Sequence, residues 1–267
     1  MRNQAIRVDN NGNILMPTID ETFFDNYLGA GSGMVDINAE SSVQLFPLGT
    51  KVVQGDRTFR YAKNGAVALT AGTLISSAAR GADHIKDLAV LAAAVGATTI
   101  TVTNGATTAV TADMFAGGYL WVNDCGAATG EGQCLRIKSN TAAAVNVAFD
   151  VVVYDPLVIA LTTASQVGIS KNPYDMVVIS ASTPVANVVG VCRMPVTIAY
   201  FFWLQTGGPA AVLCNGAHVV GKPVEVGLTT AGSADVGAGT TGADAIGICM
   251  AVAASTEFSL VFLTIDN

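Results

Sequence analysis

Four aromatic residues in a row, Tyr200, Phe201, Phe202 and Trp203, open a stretch (residues 200–216) that is apolar at every position as far as Leu204. A run with no polar position has no face to offer to water, so it reads as a strand buried on both sides. The run breaks at Gly207-Gly208-Pro209, resumes over residues 210–213 and breaks again at Asn215-Gly216. Such punctuation predicts a strand, a tight turn and a second strand. The quartet Tyr200–Trp203 is the expected anchor of a core or of an oligomer contact.

The rest of the chain follows the same grammar in shorter words. Between residues 43 and 75 lie Val52-Val53, the run 58–61 and the run 66–69, parted by Gln54-Gly55-Asp56 and by Asn64-Gly65, a hairpin signal because both residues tolerate positive φ. Further β-type runs cover residues 88–95, 98–103, 119–122 and 133–138, where Leu135 and Ile137 alternate with Arg136 and Lys138. The series continues through 145–153, 157–161, 176–180, 188–191, 196–204, 211–213, 219–220, 246–252 and 258–265. Many short strands, Gly-rich turns and almost no helical period predict an all-β protein of sandwich or barrel type.

Residues 1–42 show neither period. They are rich in Asn, Asp and Gly, yet carry Ile14, Leu15, Met16, Phe23, Phe24, Tyr27 and Leu28. A purely polar tail stays unstructured, whereas these groups are anchors. The segment reads as an extended N-terminal arm that contacts its own body, a neighbour or a larger partner. An echo between residues 66–75 and 210–219 suggests that residues 43–82 and 180–267 form one discontinuous β-domain, with an inserted β-domain at 83–179.

Charge narrows the function classes. The net charge is −7, and the 13 basic residues are scattered, which argues against neutralising a phosphate backbone. Only 12% of residues are charged, and a sparsely charged surface is commonly one that partners cover. The first residues lack the apolar core of a secretory signal, and the run 88–95 is too short to cross a bilayer, so no membrane association is expected and synthesis in a cytoplasm is. Five Cys without C-x-x-C describe neither a disulfide framework nor a zinc site. Cys125 and Cys134 could pair across a turn.

Motifs that might carry chemistry lose their context on inspection. Gly237-Ala238-Gly239-Thr240-Thr241-Gly242 spells G-x-G-x-x-G, but a strand follows it where a dinucleotide site needs a helix. Gly29-Ala30-Gly31-Ser32-Gly33 has no P-loop Lys-Ser/Thr after it and reads as a joint. Cys214 and His218 are four apart, a spacing that does not enforce contact on strands. Cys192 and Cys249 read as small core residues, and His84, beside Asp83 and Asp87, as an exposed hinge residue. Asp113, Asp124 and Glu131 could ligate calcium, but the EF-hand spacing is absent and turn carboxylates suffice. Trp121 and Trp203 could stack on sugars, although in apolar strands they are core anchors. No enzyme, metal or cofactor is expected.

Three groups of residues carry a resemblance. They are residues 200–216 with Val219-Val220-Gly221-Lys222-Pro223; Gly96-Ala97-Thr98-Thr99-Ile100-Thr101-Val102-Thr103 with Ala116-Gly117-Gly118-Tyr119-Leu120-Trp121-Val122-Asn123-Asp124; and Asp155-Pro156-Leu157 with Lys171-Asn172-Pro173-Tyr174. In these the chain resembles structural proteins of tailed, cyanophage-like bacteriophages, in particular capsid decoration (cement) proteins. The resemblance implies a β-rich virion protein, often a homotrimer, that binds the major capsid protein on the outer surface of the assembled head and braces it, with the arm bridging subunits. It transfers no individual binding residue. A tail-fibre or adhesin-type protein that binds host-surface polysaccharide is the alternative. A shell-forming capsid protein would need a long helix that the sequence does not offer.

Overall fold

The computed structural model describes residues 35–79, 81, 84, 86–126, 130–183, 185–237 and 245–266, and the backbone of two short strands, β1 (Arg7–Val8) and β2 (Ile14–Leu15), which pair with each other. No α-helix occurs among the described residues, and every strand ladder is antiparallel. The protein is all-β.

The strands after the arm are β3 (Lys51–Gln54), β4 (Arg57–Lys63), β5 (Leu74–Ser76), β6 (Leu88–Ala89), β7 (Thr99–Thr103), β8 (Tyr119–Asp124), β9 (Cys134–Asn140), β10 (Ala148–Val153) and β11 (Gln166–Ser170). They continue with β12 (Val178–Ile179), β13 (Val188–Val191), β14 (Phe201–Leu213), β15 (Pro223–Val226), β16 (Ala234–Val236), β17 (Gly247–Cys249) and β18 (Phe258–Thr264). β6 to β11 form one six-stranded sheet in the order β6-β11-β8-β9-β10-β7. A bridge from Val90 to Val102 brings the two ends of that order together, so the sheet curls into a nearly closed barrel. Its core is drawn from residues 88–169, with Ile100, Leu120, Ile137, Phe149 and Val151 pointing inward.

The other sheet is ten-stranded and takes strands from both sides of the barrel segment. β14 is its spine. Its 13 residues are one continuous strand, so the turn expected at Gly207-Gly208-Pro209 does not exist. In its place the strand carries a bulge between Gln205 and Gly207. Gly208 has φ +75°, and a Cβ there would collide with the Asp56 carbonyl. The buried Gln205 amide donates to the Gly207 and Pro209 carbonyls at 3.1 and 2.8 Å, so the distorted backbone keeps its hydrogen bonds. Past Gly207 the ladder to β4 has ended, which leaves Pro209 where one edge of the strand is unpaired.

Both faces of β14 are covered over residues 201–208. Phe201 and Trp203 pack with Ile37, Val52, Phe59 and Tyr61, while Phe202 and Leu204 pack on the other side with Leu69, Ile75 and Val196. Farther along, Ala210 and Val212 join Val224, Val261 and Leu263 in a third cluster. Residues 35–42 run beside the start of this strand. Ser41 and Phe201 exchange backbone hydrogen bonds at 2.9 and 2.8 Å, and Glu40 accepts from the N–H and Oγ1 of Thr197, both at 2.6 Å.

A recurring turn organises the entry into the strands. An apolar or buried residue makes an isolated bridge, a hydrogen-bonded turn follows, and in most cases the residue three places on has positive φ before a strand begins. These units meet in pairs through the bridges Leu69–Val196, Ala93–Leu161, Val110–Ala143 and His218–Ala253. The positive-φ residue is Gly72, Gly96 or Gly221 in some and Asp113, Asn146, Ala199 or Thr256 in others. This geometry corrects several sequence readings. Residues 66–69 and 157–161 are not strands but lead into bridges at Leu69 and Leu161, and residues 219–220 belong to a turn. The echo between 66–75 and 210–219 is out of step, because Gly72 has positive φ and its counterpart Gly216 does not. Asn64-Gly65 makes no hairpin either. The Asn64 side chain is buried and donates to the Val196 and Thr197 carbonyls at 3.3 and 3.0 Å.

The turns make opposite predictions at two positions. Nothing lies within 4 Å of a Cβ built on Gly221, so Gly221→Ala tests backbone conformation alone, whereas Thr256 holds a β-branched side chain at φ +71°. Chemical denaturation should show Gly221→Ala losing about 1 kcal/mol and Thr256→Gly gaining roughly 0.5–1 kcal/mol.

Candidate interaction surface

In β18 the side chains of Ser259, Val261 and Leu263 point into the core, and those of Phe258, Leu260 and Phe262 point to solvent. The alternation is that of any half-buried strand, except that the outward positions are also large and apolar. The neighbouring strands match. In β17, Ile248 lies opposite Phe262, and the Met250 N–H just beyond donates to the Leu260 carbonyl at 2.8 Å. In β14, Ala211 lies opposite Leu260 and Pro209 opposite Phe262.

Phe258 is 55% exposed, Ile248 50% and Met250 44%. Since a fully buried aromatic removes about 150–250 Å² from water, the face leaves on the order of 400 Å² of contiguous apolar surface uncovered. A patch of that size is about the largest a typical monomer exposes, and such patches are often functional. The face carries no charged side chain from these strand positions.

A groove of about 450 Å³ runs along one end of this face, lined by Gly72, Gln205, Pro209, Ala211 and Phe258 together with Arg57 and Arg193. Both guanidiniums lie over the Phe59 ring, Arg57 at 5.7 Å and Arg193 at 5.4 Å from its centroid. Arg57 Nη2 donates to Gln54 Oε1 at 2.9 Å. Arg193 Nη1 is buried and has no hydrogen-bond partner among the described residues. Burial holds the Arg193 pKa below its ordinary value, and the nearby positive charge of Arg57 adds to that. Neither arginine has a carboxylate within ion-pair distance among the described residues.

Arg60 shows what a satisfied arginine looks like in the same sheet. Its Nε and Nη2 hold the two Asp266 oxygens at 2.6 and 2.9 Å, and its Nη1 donates to the Gly49 carbonyl at 2.8 Å. Thr206 Oγ1 donates to the same carboxylate at 3.3 Å, and Lys51 approaches at 3.8 Å. This fork ties the end of β18 to β4 across 206 residues of sequence.

Of the arm residues singled out in the sequence, Ile14 and Leu15 lie in β2, paired with Val8 and Arg7. Met16, Phe23, Phe24, Tyr27 and Leu28 lie outside the described residues, as do residues 29–33 of the arm and 238–242 of the G-x-G-x-x-G run. Phe201, Phe202 and Trp203 are buried within the protomer, and Tyr200 is half-buried against the cluster of Phe202. Trp121 is half-buried in β8, opposite Cys134 and Gly168. Cys125 is buried, Cys134 is exposed, and both thiols are free, so they form no disulfide here.

His84 is not an exposed hinge residue. It is buried edge-on against Phe115 and shares a 3.0 Å hydrogen bond with Asn104 Oδ1. His218 Nε2 meets the Ala234 carbonyl at 3.2 Å, while Cys214 Sγ turns to the Val212 carbonyl and burial raises its pKa. The structure gives those two residues separate partners. Asp124, Glu131 and Asp113 accept from the backbone N–H groups of Gly126, Cys125 and Asn140. Among the described residues no three His, Cys, Asp or Glu side chains gather as a metal would require.

The outward face of β18 was not legible in the sequence: the one polar residue of Phe-Ser-Leu-Val-Phe-Leu, Ser259, lies on the buried side, so alternation alone would turn Phe258, Leu260 and Phe262 inward. Nor was the Arg57–Arg193 pair, because 136 residues separate the two.

The chain matches no protein-family model and no curated protein. Among solved structures it is similar to the head fiber gp8.5 N base of bacteriophage phi29, at 12% identity and a TM-score of 0.24, over 63% of this chain and 97% of that one. A likeness at that score carries no functional argument.

The Arg60–Asp266 fork sets a pH dependence. Hydrogen bonds from Arg60 hold the Asp266 carboxyl below its ordinary range, outweighing the desolvation that pushes it up. Its contribution to stability is therefore complete above the unfolded carboxylate pKa of about 3.9 and is lost as pH falls through the lower folded value. Asp266→Asn should cost roughly 1–2 kcal/mol at pH 7 and flatten the acid limb of stability measured between pH 6 and pH 2.

Proposed function

We propose that this chain is a non-enzymatic structural virion protein that decorates a phage head, bound to the major capsid protein on the outer surface of the assembled shell. The observation that carries the reading is the apolar outer face formed by Phe258, Leu260, Phe262, Ile248 and Met250. A strand apolar on both faces fits a protein that works by covering and being covered. The resemblance in residues 96–124 and 200–223 supplies the class of partner. A protein that binds only the assembled head stabilises it by mass action, by about 2.7 kcal/mol per site when free protein is 100-fold above Kd. The arm groups Ile14, Leu15, Met16, Phe23, Phe24, Tyr27 and Leu28 add contacts to the shell or to a neighbouring protomer, and a homotrimer would present three such faces. The mechanism requires neither cofactor nor metal, and it engages neither DNA nor membrane.

One observation favours a second reading, an adhesin that binds surface polysaccharide. Tyr119 is exposed and lines a groove of about 400 Å³ with Arg136, Arg60 and Tyr174, and aromatic and arginine groups of this kind can stack on and hydrogen-bond to sugars.

Co-sedimentation with heads stripped of their outer proteins separates the two. Head decoration predicts saturable binding that weakens at least tenfold in Phe258→Ser/Phe262→Ser, a variant that should stay folded at a cost of about 1–2 kcal/mol because both rings are partly buried. Absence of head binding, together with glycan binding that Tyr119→Ala abolishes, would establish the adhesin.

A further inference from the structure

Arg57 and Arg193 are an unusual pair to leave together. Like charges repel, a buried guanidinium N–H without an acceptor loses its hydration, and the shared Phe59 ring compensates only part of both. The groove beside them is open and ends on Ala211 and Phe258, the first residues of the apolar face. A ligand that suits this site brings carboxylates for the arginines and large apolar groups for the groove.

The chain contains one such segment. Asp20-Glu21-Thr22-Phe23-Phe24-Asp25-Asn26-Tyr27-Leu28 carries three carboxylates interleaved with four large apolar side chains. It lies outside the described residues. The described body begins at Val35, which packs on the cluster of Phe59, Tyr61 and Trp203, and Phe59 is the ring that carries both arginines. Nine residues lie between Asp25 and Val35, and the ten extended steps from one to the other span about 33 Å. The segment can therefore reach the groove of its own protomer.

We propose that the Arg57–Arg193 groove is the docking site for residues 20–28 of the same chain, with Asp20, Glu21 and Asp25 answering the guanidiniums and the aromatic groups extending the face at Phe258. Docking there fixes the arm alongside the β17–β18 face and enlarges the apolar surface without covering Ile248, Met250 or Phe262. The inference is independent of the virion reading, since it concerns the isolated protein.

Hydrogen–deuterium exchange on the full chain tests it. Amides of residues 20–28 should be protected, at least tenfold less so in Arg57→Glu/Arg193→Glu, and protected again when Asp20→Lys, Glu21→Lys and Asp25→Lys are added to that variant. Exchange at the rate of a free peptide in the wild-type protein, or unchanged protection in the arginine variant, would overturn the proposal. Protection that grows with protein concentration would overturn it too, and assign the groove to a neighbouring copy. Protection of β14 amides reports whether each variant folds. If the arginine variant does not, Phe23→Ser/Phe24→Ser, outside the folded body, carries the test: loss of protection over 20–28 supports docking and its retention overturns it.

Discussion

Water reaches neither side of the first eight residues of β14, 201–208, and most of the ten-stranded sheet depends on that. The strand contributes to three hydrophobic clusters at once: Phe201 and Trp203 to one, Phe202 and Leu204 to a second, Ala210 and Val212 to a third. Because successive strand residues point to opposite faces, a register slip of one position would exchange the clusters wholesale. It would put Trp203 where Phe202 meets Leu69 and Ile75, and no such slip preserves the packing. The all-apolar run is thus a requirement of position. A strand with a wet face would carry polar residues at every second place.

The same strand also has to change neighbours, from β4 to β18, and the polar interruption Gln205-Thr206-Gly207-Gly208 is where it does so. Thr206 and Gln205 are buried, yet their side chains bond to Thr58, Asp266, Gly207 and Pro209, so the bulge leaves no unpaired amide behind. The Arg60–Asp266 fork closes on the same point from β4 and the end of β18. The break in the apolar run is therefore itself held by hydrogen bonds with β4, within β14 and with Asp266 just after β18.

That junction also marks the limit of what the sequence discloses. The burial of residues 200–204 on both faces follows from their lack of any polar position, and the all-β character follows from the spacing of short β-branched runs. Gly207-Gly208-Pro209 looks like a turn because Gly and Pro punctuate loops far more often than central strands. Only the partners in space, Thr58 and Asp56 on one edge and Leu263 and Thr264 on the other, show that it is a bulge. Paired turns such as Leu69–Val196 hide for a similar reason. Their positive-φ position accepts Gly, Asn, Asp, Ala and Thr, so no single residue type announces it, and the bridges that define the pairs join residues as far apart in sequence as Leu69 and Val196. Of the candidate surface, the strand at residues 258–265 was legible, while its outward face, the pairing of Ile248 with Phe262 and that of Arg57 with Arg193 were not, because the one polar residue of the strand's alternating run, Ser259, is buried and the paired residues lie apart in sequence.

Stability alone does not account for β18. Its inward residues suffice to hold it: Val261 and Leu263 are fully buried, and Ser259 bonds to the Ala251 carbonyl at 2.7 Å. The outward Phe258, Leu260 and Phe262 still leave 55%, 41% and 39% of their surface in water, and they raise the risk of aggregation that exposed apolar patches carry. Thr or Lys at those places would satisfy the strand equally well and remove the risk. The chain instead repeats the choice on and just after β17, with Ile248 and Met250, so that the neighbouring outward positions agree across the strands. Agreement across strands is what a contact surface needs and what a folding requirement does not impose. The same logic applies to Arg57 and Arg193: a pair that costs the isolated sheet some stability makes sense where something outside the sheet completes it.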